Sequence, residues 1–221
     1  MSDDTTHTQL SAELTAFVDG LAGEDVSIGE VLDAIADRGF GLILLVLALP
    51  AALPLPAPGY ATPFGLMMAL LALQMMRGRR TPWFPARVRA RRISRGKLAW
   101  TVKNAGVPLR FVEWIIRPRL SGLARNRAFL SLIGFIVLLM SISMSMPIPL
   151  TNTAPSFVIF VLAAGILEED GLVLLGGLLL APVAAGIAGL AVYFAWTHGL
   201  DAVESHAKPM IKGWLDEGKI H

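Results

Sequence analysis

Prolines stand in the middle of this chain's most apolar stretches, and that constrains the fold more than any other feature. The sequence is apolar from Gly39 to Leu53, breaks at Pro54-Leu55-Pro56-Ala57-Pro58-Gly59, and is apolar again from Tyr60 to Met76 with Pro63 near the start of that return. A second block is apolar from Phe129 to Met146, breaks at Pro147-Ile148-Pro149 and Thr151-Asn152-Thr153, and returns from Ser156 to Leu167 just after Pro155. Proline has no amide hydrogen and its ring clashes with the preceding turn, so prolines at this density end a helix. Each block therefore reads as two short helices joined by a break. Both breaks carry a Pro-x-Pro pair, followed by a further proline seven residues on in the first (Pro63) and six on in the second (Pro155). This is a candidate internal repeat, the main sequence mark of transporter-like folds.

Length separates these blocks from the last one. A full membrane crossing needs about 20 helical residues, because the hydrocarbon core is about 30 Å thick and a helix rises about 1.5 Å per residue. As helices, Gly39 to Leu53 reaches about 22 Å and Tyr60 to Met76 about 26 Å. Leu172 to Trp196 reaches about 37 Å and spans with tilt. Its Gly176, Gly177, Gly186 and Gly189 are expected to admit a close neighbouring helix. Two readings of the breaks stay open. In one they are external loops between short spanning helices. In the other they are re-entrant turns, because irregular backbone at membrane depth is tolerated only against protein or a water-filled cavity. The short arms and the apolar Leu53, Leu55 and Ala57 favour re-entry, which would bring the two breaks together at a shared site.

Composition agrees with a membrane protein. Hydrophobic residues make up 54% of the 221 and charged residues 16%, against about 25% charged in a soluble domain. Charge is also segregated. Fifteen of the nineteen Lys and Arg residues lie between Arg77 and Arg127, with Glu113 the one acid among them. A basic stretch flanked by apolar blocks reads as a cytoplasmic loop under the positive-inside rule rather than as a nucleic-acid surface, and Trp83, Trp100 and Trp114 suit an interface belt. Anionic lipid headgroups are its natural counter-charge. If the stretch from Lys97 to Arg117 stays at the surface, both hairpins enter from one side. Crossing would cost about 2.5–3.5 kcal/mol for each basic residue near the centre.

The expected fold class is an all-α integral membrane protein: two proline-broken, re-entrant helical hairpins as an internal repeat, a C-terminal transmembrane helix and amphipathic surface helices. Residues 1–38 are expected to be cytoplasmic amphipathic helices. The membrane domain is 39–196, with hairpin 39–76, basic segment 77–127, hairpin 129–167 and transmembrane helix 172–196. Residues 197–221 form a polar tail. Leu10, Leu14, Phe17, Val18 and Leu21 recur at helical spacing. Ser27-Ile28-Gly29-Glu30 fits a capping box, followed by the stripe Ile28, Val31, Leu32 and Ile35. The Met-Ser-Asp-Asp start lacks a basic n-region, so no cleaved signal peptide is expected. No cysteine is present, which removes disulfides and cysteine–metal sites.

Several strings taken together resemble the ExoD family, bacterial membrane proteins named for exopolysaccharide synthesis. They are Ala36-Asp37-Arg38-Gly39-Phe40-Gly41, Leu53-Pro54-Leu55-Pro56-Ala57-Pro58-Gly59, Leu71-Ala72-Leu73-Gln74 and Gly78-Arg79-Arg80-Thr81-Pro82-Trp83-Phe84-Pro85. In the second half, Pro147-Ile148-Pro149 is followed by Gly165-Ile166-Leu167-Glu168-Glu169-Asp170-Gly171, with Ile166 and Glu169 departing from the family's Leu and Arg. The resemblance runs from about Val26 to Trp196. It implies a bacterial inner-membrane, multi-pass protein linked to exopolysaccharide production, and it implies no mechanism.

No catalytic constellation is visible, and no enzyme, cofactor or metal site is expected. His7, His198, His206 and His221 lie in the polar ends. No Gly-x-x-x-x-Gly-Lys phosphate loop exists to power a pump, so any transport is passive or ion-coupled. The candidate substrate- or ion-binding residues are Asn152, Thr151 and Thr153 at the second break, Glu168 and Asp170 before the last helix, and Asp37 and Arg38 before the first. The acids also read as caps opposing a positive helix N-terminus. The sharper alternative pairs Glu168 or Asp170 with Arg38. Gln74, Ser143 and Ser145 are further polar groups, and helical Ser and Thr commonly bond their own carbonyls. The methionines read as flexible packing. A homo-oligomer and polysaccharide-export machinery are the candidate protein partners, beside membrane lipids. The leading function is a small transporter whose site lies where the breaks meet. The alternative is a non-transporting scaffold or regulator of the exopolysaccharide machinery.

Overall fold

Each apolar arm becomes one helix. The computed structural model describes residues 16, 18–20, 25–35, 38–52, 61–100, 102, 116, 118–145 and 152–198. In chain order these form β1 (Asp25–Ser27), α1 (Ile28–Ala34), α2 (Gly39–Ala52), α3 (Ala61–Met76), α4 (Ala86–Arg89), β2 (Arg92–Ser94), α5 (Ser121–Ala124), α6 (Arg127–Ser145), α7 (Thr153–Leu167) and α8 (Gly171–His198). Pro54, Pro56, Pro58, Gly59, Pro147 and Pro149 lie outside the described residues, as do Asp37 and Thr151. Pro63 and Pro155 sit in the first turns of α3 and α7, where the missing amide has no intrahelical partner to lose. Pro50 and Pro182 lie inside α2 and α8.

Small residues set how the hairpins meet. The heaviest interhelix packings are α3 on α6 and α2 on α7, each between hairpins rather than within one. A side chain at Gly65 of α3 would stand 2.9 Å from the Ser141 carbonyl of α6, and one at Gly134 of α6 would stand 3.1 Å from the Ala72 carbonyl of α3. Hydrogen bonds close both ends of this antiparallel pair: Thr62 Oγ1 donates to Ser145 O at 3.3 Å, and Ser131 Oγ donates to Met76 O at 3.1 Å. On α2, a side chain at Gly41 would stand 3.0 Å from the Ala163 carbonyl and 2.7 Å from the Leu167 nitrogen of α7. Leu44, Met68, Ile133, Met144, Ile159 and Leu162 fill the interior between these contacts.

It follows that one end of the bundle, the base, gathers the start of α2, the end of α3, the start of α6, the end of α7 and the start of α8. The end of α2, the start of α3, the end of α6 and the start of α7, which flank the two breaks, lie at the opposite end, so the four arms run the same way in both hairpins. Helix α8 leaves the base antiparallel to α7. Leu174 lies against Gly165, and Gly177 against Leu162. Continuing that register levels Thr153 with about residue 186 and leaves about 18 Å of α8 beyond the start of α7. Of the four glycines expected to seat a neighbouring helix, Gly177 alone does so. Among the described residues Gly176, Gly186 and Gly189 face open space, because they lie off the buried stripe of α8 that runs through Leu174, Gly177, Ala181, Ala184 and Ala188.

The outer surface is apolar. Helix α6 and residues 171–194 of α8 are long and apolar enough to cross a membrane, and each has 33% of its most apolar window buried inside the protein. Leu66 and Leu70 of α3, Phe135 and Ile142 of α6, and Leu179 and Val183 of α8 are exposed. Soluble monomers rarely expose contiguous apolar patches above a few hundred Å², whereas a lipid-facing surface requires them. This is a helical membrane protein.

A polar layer covers the base. The all-α expectation meets one exception here: β1 and β2 pair antiparallel, Val26 opposite Ile93. Three-residue strands 67 positions apart carry no periodic pattern, and they form because Val26 is buried with Val18 and Leu98. The capping box at Ser27 is present: Ser27 N–H donates to Glu30 Oε2 at 2.7 Å and Glu30 N–H to Ser27 Oγ at 3.1 Å. Leu32 and Ile35 of the predicted stripe are buried on the bundle. Arg89 forms a bidentate pair with Asp33 at 2.7 and 2.8 Å, tying the acidic N-terminal region to the basic segment.

Candidate functional site

The sequence-derived candidates separate between the two ends. Asn152 and Thr153 lie at the break end, one helix away from Glu168, Asp170 and Arg38 at the base. Fifteen residues of α7 hold the two groups about 22 Å apart, so they do not form one site.

At the break end, three serine hydroxyls are turned onto carbonyls one turn back in their own segments. Ser141 Oγ donates to Val137 O at 2.7 Å, Ser145 Oγ to Ser141 O at 2.8 Å, and Ser156 Oγ to Asn152 O at 2.6 Å. Asn152 differs. It precedes α7 with φ −94° and ψ −43° and makes no side-chain cap bond. Its Oδ1 is buried and has no hydrogen-bond partner among the described residues. An N-cap side chain needs extended backbone and accepts from the second or third helical amide. Here the backbone is helical and the third position is Pro155, which has no amide hydrogen. An acceptor buried this way costs about 1–3 kcal/mol unless something donates to it.

At the base, the three acids that follow α7 do three different things. Glu168 is the C-cap, its amide bonded to Ala164 O and Ile166 O. Glu169 takes a left-handed conformation, φ 50°, and its carboxylate pairs with Arg125 at 2.7 Å. That hydrogen bond and charge hold the Arg125 guanidinium still higher in its range. Asp170 is buried at 2% exposure, and its Oδ1 accepts from the Leu172 and Val173 amides at 2.8 and 3.3 Å. It is the N-cap of α8. The Arg38 pairing is not formed: among the described residues Arg38 has no acidic partner, since Asp170 is turned onto its own helix.

The base also holds a feature the sequence left unremarked. A half-open cleft of about 450 Å³ is lined by Phe40, Met75, Gly78, Arg79, Arg80, Ala124, Arg125, Arg127, Leu130, Ile166 and Glu169. Gly78, φ 71°, ends α3 in a left-handed cap, with its amide bonded to Met75 O and that of Arg79 to Gln74 O. This turn brings Arg79 and Arg80 back over the helix end. Gln74 fixes the following loop by accepting from the Trp83 amide at 2.6 Å, and the Arg79 guanidinium lies 5.8 Å from the centre of the Trp83 ring. The arginine-rich segment signalled positive charge, but only folding gathers residues 79, 80, 125 and 127 into one concavity.

Short paired apolar hairpins, one long outward-facing helix and an arginine-bearing base define a class of small helical membrane proteins. Within that class the chain belongs to the ExoD family: the family model described as "Exopolysaccharide synthesis, ExoD" matches residues 10–190. It is 31% identical over 171 residues to Protein ExoD of Rhizobium meliloti, covering 76% of this chain and 71% of that protein. It is 36% identical over 194 residues to an uncharacterized protein of Synechocystis sp., covering 87% and 89%. No solved structure matches the chain.

Proposed function

We propose that this chain is a multi-pass inner-membrane component of exopolysaccharide synthesis, working as a small passive or ion-coupled transporter whose site lies where the two Pro-x-Pro breaks meet. The pathway rests on the family description and on the printed name of its Rhizobium relative. The site rests on one observation, the buried Asn152 Oδ1 with no donor among the described residues. A carbonyl oxygen left so is satisfied by a cation, a water or a donor on a substrate.

Two further observations support a repeat of re-entrant hairpins. Gly41 packs on the carbonyl of Ala163 and the backbone of Leu167, and Gly134 on the carbonyl of Ala72 and the backbone of Met76. Ala163 and Leu167 stand as far apart on α7 as Ala72 and Met76 do on α3. Exchanging the hairpins thus carries one contact onto the other, as for parallel repeats about an axis along the membrane normal. Both second arms also end in the same left-handed cap, at Gly78 and Glu169. Re-entry is supported by the length of three of the four arms: α2, α3 and α7 span about 21–24 Å and α6 about 28 Å, while α8, from the same base, spans about 42 Å.

The test is ion flux into liposomes holding the purified protein, followed with pH- and potential-sensitive dyes. Flux above empty liposomes that falls at least tenfold in Asn152→Ala is the expected result. A second reading, a non-transporting scaffold or regulator of the polysaccharide-export machinery, is favoured by the filled apolar interior between the hairpins. Flux that stays at background under every gradient, with folded protein, selects it.

A further inference from the structure

We propose that the arginine-lined cleft at the base is a phosphate-binding site, separate from the break end and independent of any transport there. Four guanidinium groups, of Arg79, Arg80, Arg125 and Arg127, face one carboxylate, Glu169, around about 450 Å³. Among the described residues Arg79, Arg80 and Arg127 have no acidic partner, so three positive charges are left uncompensated in one concavity. An anion is what relieves their mutual repulsion. Guanidinium presents a planar fork that matches two oxygens of a phosphate, which makes arginine the residue suited to phosphate esters. The neighbouring helix N-termini do not contribute. Asn126 already accepts from the Ala128 and Phe129 amides, and Asp170 caps α8. The arginines therefore hold the ligand, and Glu169 acts as an internal competitor for Arg125. Phe40 and Ile166 give the cleft an apolar side where the bundle meets the basic layer. The shared chemistry is a phosphate group, carried by a lipid or free in solution.

The experiment places the full-length protein in phosphatidylcholine nanodiscs and titrates short-chain phosphatidic acid and, separately, inorganic phosphate, reading binding from the shift in melting temperature. Saturable binding is expected, at least tenfold weaker in Arg80→Gln/Arg127→Gln and severalfold tighter in Glu169→Gln, which frees Arg125. Arg87→Gln/Arg91→Gln, in the same basic segment but outside the cleft, is expected to bind like wild type. An unchanged melting temperature without ligand shows that each variant is folded. Saturation by phosphatidic acid alone identifies a lipid headgroup, and equal saturation by inorganic phosphate a free anion. Wild-type affinity in Arg80→Gln/Arg127→Gln, equal loss in the Arg87/Arg91 variant, or no binding of either probe overturns the proposal.

Discussion

At Asn152 the chain withholds the donor that its own side chain would use, since Pro155 occupies the third helical position. At Asp170 the reverse holds: a carboxylate at 2% exposure accepts from two amides of α8. Asp170→Ala is expected to lower stability by about 0.5–2 kcal/mol, measured by unfolding in detergent, with Asp170→Asn losing less because its amide oxygen still accepts. Glu30 gives a pH-dependent case. Hydrogen bonds from the Ser27 amide, then from its hydroxyl, hold the Glu30 carboxyl below its ordinary value. Its stabilisation is therefore present above the ordinary carboxylate range and is lost as pH falls through the lowered folded value. The stability difference between wild type and Glu30→Gln is expected to shrink as pH is lowered through that window. The capping box was legible in four residues because it is local. The buried state of Asp170 was not, because it depends on residues 118–124 folding over the turn, where Gly171 N–H bonds Arg119 O at 2.6 Å.

The five apolar helices were legible to within three residues at either end, because dense prolines and the ends of apolar runs are local physical stops. Their partners were not. Apolar character all round α2 and α7 says that both are surrounded, without saying by what. The glycines decide it by letting backbones meet. Gly41→Val is expected to destabilise by about 1–3 kcal/mol through overpacking, since the nearest atoms are the backbone of Leu167 and Ala163 and cannot rotate away. Gly134→Val meets the equivalent backbone of α3, so a similar loss is expected. Gly186→Val, which points into open space, is expected to be nearly silent. Unfolding in detergent compares the three.

For the whole molecule, the absence of cysteine makes topology directly measurable by single-cysteine labelling in oriented vesicles. A cysteine at Arg79 is expected to react from the cytoplasmic side and one at Thr197 from the opposite side. A cysteine at Thr153 is expected to be protected from impermeant reagents on that opposite side. Labelling of Thr153 there as fast as Thr197 would make the breaks external loops and remove the re-entrant reading.

By itself the sequence determined that this is a membrane protein, which stretches are helices, where they break and which segment carries the positive charge. Each of these depends on chemistry within a few residues: amide hydrogens, side-chain volume, hydropathy and net charge. The tertiary structure alone decided which helices pair, that the helix ends flanking both breaks lie at one end, that the candidate residues divide between two ends, and that four arginines converge on one cleft. Those outcomes depend on which backbones can approach across separations of about 45 to 125 residues. That is set by a few glycines whose contacts no local pattern reveals.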